Sequence, residues 1–399
     1  MKILVAHNFY RAAATSGEDA VFRNECALLE RRGVEIVRFE RHNDDIDEST
    51  LAKKVALALN GAWSRQSYDD LNRVIRQTTP DIVHFHNTFP LISPSAYAAC
   101  QDHGVPVVQT MHNYRLNCTN GMLLRDNKPC ELCIGRWPWP ALQHRCYRSS
   151  LLATGAQVWR MMSNHMRGTY HRLVDRYIAL TRFAANKLIQ GGLPAGRIVV
   201  KPNGLDDIPA EGEGRGHYAV FVGRLGPEKG VKTLLDAWCN DSTYPLKIIG
   251  DGPLRSDLER TAQDSNLNVE FLGIQTKQEV LRAIRGAEFI VVPSVSYETF
   301  GMVVIEAFAC GTPVIASRIG SLDELVQHGE TGAKFQAGDA EDLGRTIAEL
   351  RRDPGTLVQM RRKARAVFLE NYTPDRNFER LMSIYESVLE DRKGTMNLV

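Results

Sequence analysis

The chain has 399 residues, of which 43% are hydrophobic and 24% charged, with a formal net charge of +2; this is enough for two or three domains with full cores and lacks the bias of a disordered, collagenous or membrane-embedded chain. No apolar run approaches the roughly 18 residues of a membrane span, and MKILVAHNFY reads as a first strand rather than a signal peptide. A cytoplasmic setting is expected, with the eight cysteines as reduced thiols or metal ligands rather than disulfides.

In chain order, KILVAHN, EIVRFER, DIVHFHN, VPVVQTMH, RYIALT and IVVKPN are strand-like and separated by helical stretches, the pattern of parallel βαβ units. Residues 1–209 therefore read as one doubly wound α/β domain. Ligands of such sheets bind beyond the C-terminal strand ends. After the first strand, Ser16 is placed to cap a helix, and Gly17 either forms an ordinary turn or lets a phosphate approach the backbone. The acidic stretch HNDDIDEST contains Asp45 and Asp47 at D-x-D spacing, read as a solvated loop. Alternation along DIVHFHN puts His84 and His86 on one face, as a metal pair or as histidines satisfied by hydrogen bonds. His112 ends the next strand.

An insertion at about 115–175 follows. Cys118, Cys130, Cys133 and Cys146 lie close in sequence, with a C-x2-C pair at Cys130 and Cys133, so they read either as a structural zinc site that pins a loop or as plain reduced thiols. Between Glu131 and Asp175 there is no acidic residue, while Arg136, Arg145, Arg148, Arg160, Arg167 and Arg172 alternate with Trp137, Trp139, Tyr147, Trp159 and Tyr170. Leu151, Val158, Met162, Met166 and Leu173 fall near helical spacing. This predicts a basic amphipathic helix that either packs on its own domain or meets an anionic membrane surface. Residues 1–200 carry 25 Lys plus Arg against 17 Asp plus Glu, or +8, and the remainder 24 against 30, or −6. The first half is the one suited to an anionic partner. No nucleic-acid module is recognisable.

Ala210 to Gly216, AEGEGRG, reads as a linker. YAVFVGR, LKIIGDG, VEFLG, FIVVPS, PVIAS and GAKF then form a second parallel series over residues 217–376, and residues 377–399 read as a closing helix and tail. In FVGRLGPEKG, a turn through Gly226 and Pro227 can bring Arg224 and Lys229 to one phosphate group. The apolar strand Phe289 to Val292 leads through a loop to a helix from Gly301 to Cys310, stopped by Gly311 and Pro313. That helix is apolar except for Glu306, whose burial requires a donor. A second carboxylate, Glu298, precedes it, and backbone N–H groups of Thr299, Phe300 and Gly301 lie at the helix start, where an anion is favoured. Either the two carboxylates serve as cap and buried ion-pair partner, or they bind the hydroxyl groups on both sides of a diphosphate.

Glu298 and Glu306, eight positions apart with Phe300-Gly301 between them and E-A-F-A-C-G-T-P-V-I-A-S from Glu306 onward, resemble the signature of the retaining GT-B glycosyltransferases of family 4. The resemblance implies two Rossmann-like domains facing across a cleft, the first on the acceptor side and the second binding the donor, with the C-terminal helix crossing back to the first. It implies transfer of a sugar from a UDP- or GDP-linked donor, with retention, to a saccharide or lipid-linked acceptor in cell-surface polysaccharide or glycolipid synthesis. Glu298, His112, Arg224 and Lys229 would carry the catalysis. Gly17, Asn203, Gly223, Gly252, Ile274, Thr299, Phe300, Gly301, Met302 and Glu306 would bind the donor. No metal or other cofactor is required for such chemistry, so any zinc would be structural. A nucleotide-sugar epimerase of similar build and a non-catalytic carbohydrate or lipid-surface binding protein are the alternatives.

Overall fold

A computed structural model describes residues 1–12, 17–241 and 243–396, and within it the twelve apolar runs form two six-stranded parallel sheets. In chain order the strands are β1 (Lys2–Phe9), β2 (Glu35–His42), β3 (Ile82–Phe85), β4 (Val107–Met111), β5 (Leu124–Arg125), β6 (Lys128–Pro129), β7 (Arg176–Ala179), β8 (Ile198–Val200), β9 (Ala219–Val222), β10 (Leu246–Ile249), β11 (Val269–Gly273), β12 (Phe289–Val292), β13 (Val314–Ser317) and β14 (Gly332–Phe335). β5 and β6 make a separate antiparallel ribbon turned through Asp126 and Asn127, both at positive φ. Sequence reasoning missed it, since two-residue strands carry no periodicity.

One compact unit comprises Met1–Leu123, Glu131–Asp206 and the chain from Asn377. Its sheet runs β2-β1-β3-β4-β7-β8. Central strands read as unbroken apolar runs because helices cover both faces. Ile3, Val5, Ile82, Val108 and Ile178 pack with Leu381, Tyr385 and Val388 of the last helix, Pro374–Met396. The strand order reverses between β1 and β3, so the loops after these strands flank a crevice.

The other unit comprises Leu124–Cys130 and Asp207–Arg376. Its sheet runs β11-β10-β9-β12-β13-β14, around a core that includes Phe221, Leu234, Ile248, Phe289, Ile315 and Phe335. Here the reversal falls between β9 and β12, which puts the loops Gly223–Gly230 and Pro293–Gly301 side by side. A hydrogen bond from Val295 N to Glu228 O (3.0 Å) ties them together.

Two expectations need correction. Ala210 to Gly216 is no free linker: Gly212 N donates to Cys310 O (2.8 Å) and Gly216 N to Gly286 O (2.9 Å). A Cβ on Gly212 would lie 2.3 Å from Arg285 O, so glycine permits the chain to lie flat against this unit. The predicted basic helix forms at Leu151–Met166, and of its apolar stripe Val158 is buried while Leu151 and Met166 are exposed. Its buried face is Thr154, Gln157, Val158, Arg160, Ser163 and Asn164, while Leu151, Leu152, Trp159 and Met166 are exposed. Polar side chains go inward because they find partners there: Asn164 Nδ2 donates to Ala62 O (3.1 Å), and Arg160 to Gln157 and to the Arg115 carbonyl. Ser16, the predicted cap of helix Gly17–Arg31, lies outside the described residues.

Candidate active site

In the second unit the predicted residues gather at the β9/β12 switch point. β12 ends at Pro293, and the eight-residue helix Met302–Ala309 begins from Gly301 at φ 111°, a left-handed conformation that a side chain would strain. The turn after β9 carries Arg224 and Lys229. Lys229 Nζ donates to Glu298 Oε1 at 2.8 Å, and Ser294 Oγ donates to the same oxygen at 2.5 Å. Burial pushes the Glu298 carboxyl up, but the Lys229 charge and these two hydrogen bonds outweigh it and hold the group below the ordinary carboxylate range. Arg224, half-exposed, pairs with Glu228 (Nη2–Oε1 2.9 Å). Each cation predicted to face a diphosphate thus already has a resident carboxylate.

The remaining donor-side residues are placed as follows. Gly223 ends β9 and donates to Ile249 O (3.0 Å). Gly252 lies against the Leu225 backbone. Ile274 is 67% exposed, an uncovered apolar side chain just beyond β11. Phe300 is buried against Tyr372, so only its backbone is available to a ligand. The Thr299 carbonyl accepts from Ser321 Oγ. Met302 is half-buried. Glu306 is also half-buried rather than buried, because its neighbours Met302 and Val303 are only partly covered; the expected burial cost is correspondingly smaller.

In the first unit the strand ends carry a buried polar network. His112, immediately after β4, is 8% exposed, and its Nε2 is hydrogen-bonded to His86 Nδ1 (2.9 Å). His84 is bonded to Tyr385 Oη (2.7 Å) and Thr110 Oγ1 (2.8 Å). Glu25 Oε1 lies 3.1 Å from His86 Nε2 and 3.4 Å from His84 Nδ1, and Lys201 Nζ donates to Glu25 Oε2 at 3.0 Å. Burial, then the charge of His86, hold His84 and His112 well below the usual histidine range. Both are neutral imidazoles near pH 7. Glu25 is driven up by burial, yet Lys201 and the histidines bring it well below a free carboxylate.

Glu25, His84 and His86 are, among the described residues, the group placed to share an ion. Lys201 already supplies the positive charge there, so a divalent metal would bring two cations to one carboxylate. Sequence reasoning did not single out Glu25 or Lys201. The signal was a carboxylate on the apolar Val21, Phe22, Cys26, Leu29 face of its helix. Asn203 is buried beside Glu25, lining a small cavity with Gly204. Gly17 opens its helix with nothing within 4 Å of a Cβ position.

Cys118, Cys130, Cys133 and Cys146 are partly buried and form no disulfide. The tight turn Tyr114–Gly121 directs Cys118 Sγ to Asn120 Oδ1 at 3.0 Å.

Comparison with known proteins adds independent findings. A family model described as Glycosyltransferase Family 4 matches residues 16–207, and one described as Glycosyl transferases group 1 matches 207–367. The uncharacterized glycosyltransferase MJ1178 of Methanocaldococcus jannaschii is 37% identical over 177 residues, 44% of this chain and 49% of that protein. The D-inositol 3-phosphate glycosyltransferase of Rhodococcus jostii is 34% identical over 395 residues, 90% of this chain and 81% of that protein. Other relatives of the latter name are spanned over 65% and 59% of their length. Among solved structures, Anabaena Alr3699/HepE in complex with UDP has TM-score 0.69 at 17% identity, covering 97% of this chain and 100% of that one.

Proposed function

The chain belongs to the family-4 glycosyltransferases, and from this premise we propose that it moves a sugar, with retention at the anomeric carbon, from a UDP- or GDP-linked donor to a saccharide or lipid-linked acceptor. The observation that carries the reading is the Lys229–Glu298 pair at the β9/β12 switch point, next to the start of the Gly301 helix. A diphosphate there takes over the Lys229 ammonium, joined by Arg224 and the backbone N–H groups at the helix start. Leaving-group charge is thereby stabilised without a metal. Released from Lys229, Glu298 accepts hydrogen bonds from sugar hydroxyls, and Glu306, on the same helix, serves the ribose. His112, neutral, offers the sugar a polar ring without adding a competing charge. No protein base is assigned, since the departing phosphate can take the acceptor proton.

A panel of UDP- and GDP-sugars should raise the melting temperature for the true donor, because a ligand of the folded state stabilises it. Glu298→Gln should keep stabilisation by the free nucleotide while lowering turnover about 10²- to 10³-fold, the loss typical of one preorganised transition-state contact. Unchanged turnover, or donor conversion without any acceptor, would reject transfer.

The reading extends to a peripheral place on an anionic membrane. Among the described residues no helix is long and apolar enough to cross a bilayer. What supports surface attachment is exposed Trp137, Trp139, Trp159 and Leu152, the last 81% exposed, interspersed with exposed Arg136, Arg145, Arg148 and Arg167.

A further inference from the structure

Beside His112, wholly within the first unit, is a cavity of about 50 Å³ into which two arginines, Arg115 and Arg160, project. At roughly 10–15 Å³ per water, it holds a few waters or one tetrahedral oxyanion. Both guanidinium groups lie against the Phe89 ring, at 4.4 and 5.4 Å from its centroid. Arg160 is 7% exposed; its Nε donates to Gln157 Oε1 (3.1 Å) and its Nη2 to the Arg115 carbonyl (3.1 Å). Arg115 Nε and Nη1 are buried with no hydrogen-bond partner.

The lining contains no Asp or Glu; histidine, tyrosine, threonine, asparagine and glutamine supply its other polar groups. The acid nearest to Arg115 in effect is Glu18, whose own carboxyl is raised by burial while it accepts from Asn113 and Tyr10. Tyr170, Tyr147 and Tyr97 are the groups of opposite potential charge around Arg160, and Arg115 itself disfavours the charge on Arg160. Two like charges have been brought into one enclosed space, with orphaned N–H donors and no carboxylate among its walls. Such an arrangement is costly unless an anion completes it.

We propose that this cavity binds the anionic group, phosphate ester or carboxylate, of the sugar acceptor, held by the unpartnered Nε and Nη1 of Arg115 with the Arg160 charge close by, beside His112. Calling that ligand the acceptor rests on the transfer reading; the anion site itself does not. Inorganic phosphate and acetate, titrated separately by calorimetry at constant ionic strength into the whole protein, identify which anion the site takes. Binding of the preferred anion should weaken about tenfold or more in Arg115→Gln, the effect of losing one or two charge-assisted hydrogen bonds. Arg115→Lys should recover part of it, because charge returns without the fork. UDP-induced stabilisation, measured on each variant, reports an intact fold. If anion binding is unchanged in Arg115→Gln, absent for both anions, or lost instead in Lys229→Gln, the proposal falls. If anion binding depends on Arg115 while no nucleotide or nucleotide-sugar stabilises the wild type, the subsite stands and the transfer reading falls.

Discussion

Glu25 and Lys201 offer the sharpest test of how the first unit is held together. Their side chains are almost wholly removed from water, at 4% and 2% exposure, and meet at 3.0 Å. Replacing either alone by Met leaves the other charge buried and unpaired, at a cost of about 3–5 kcal/mol. Replacing both removes the pair, and apolar side chains of similar volume fill the space, so the double variant should be far more stable than the sum of the singles, with a coupling of about 3 kcal/mol or more. Neither His84 nor His86 stands against this. Both approach Glu25 Oε1, but their contribution is lost equally in the Glu25→Met single and the double variant, so it cancels from the coupling. Urea unfolding followed by tryptophan fluorescence is the assay, since Trp63, Trp137, Trp139 and Trp159 belong to this unit and only Trp238 to the other. With a slope of about 2 kcal/mol per molar urea, each single variant should unfold about 1.5–2.5 M earlier. Additive effects in the double variant would refute the argument that Lys201 is the counter-charge of Glu25.

Acid should destabilise the protein in two stages. His84 and His112 have folded values well below their ordinary 6.5, so below pH 6.5 the unfolded chain takes up protons that the folded chain refuses; stability is full above 6.5 and falls with pH until the folded values are reached. His84→Gln should flatten that slope in thermal melts between pH 7.5 and 5.5; an equal slope in variant and wild type counts against burial as the cause. Glu25, depressed well below its ordinary 4.5, adds a second loss only under pH 4.5. Phosphatidylglycerol vesicles should sediment the protein at low salt and release it at high salt, each exposed arginine contributing about 1 kcal/mol at most. Leu152→Glu should weaken retention, and a wild type left in the supernatant at low salt would end the membrane reading.

The fold was legible because parallel strands buried on both faces leave apolar runs; ten of the twelve sheet strands lie within the runs read from the sequence, and β1 and β2 continue one residue beyond theirs. Helix Met302–Ala309 was legible for the same reason, its stop written in Gly311 and Pro313. The insertion was harder. In Leu151–Met166 the 3.6-residue period gave a helix but not its orientation, since Arg160, Gln157 and Asn164 are buried by partners that lie outside the helix or on its polar edge. Glu25 could be suspected from its apolar helical face. Its partners at 84, 86 and 201 could not, because only the sheet brings strand ends so distant in sequence together. The same holds for Lys229 and Glu298, read separately as phosphate and sugar ligands and found hydrogen-bonded to one another.

The two units handle charge in opposite ways, and this bears on what each can bind. At the β9/β12 switch point every cation proposed for the donor has a carboxylate in hand, Glu228 for Arg224 and Glu298 for Lys229. A diphosphate binds there only by the difference between its own interactions and those it displaces, so affinity is moderated while the displaced Glu298 becomes available to the sugar. Around His112 the reverse holds: burial keeps His84 and His112 neutral, Lys201 is consumed by Glu25, and Arg115 Nε and Nη1 have no acceptor. An anion entering that cavity displaces no resident carboxylate. On the proposed reading the first arrangement serves the nucleotide-sugar and the second the acceptor, and Arg115→Gln and Lys229→Gln should therefore separate loss of anion binding from loss of nucleotide binding.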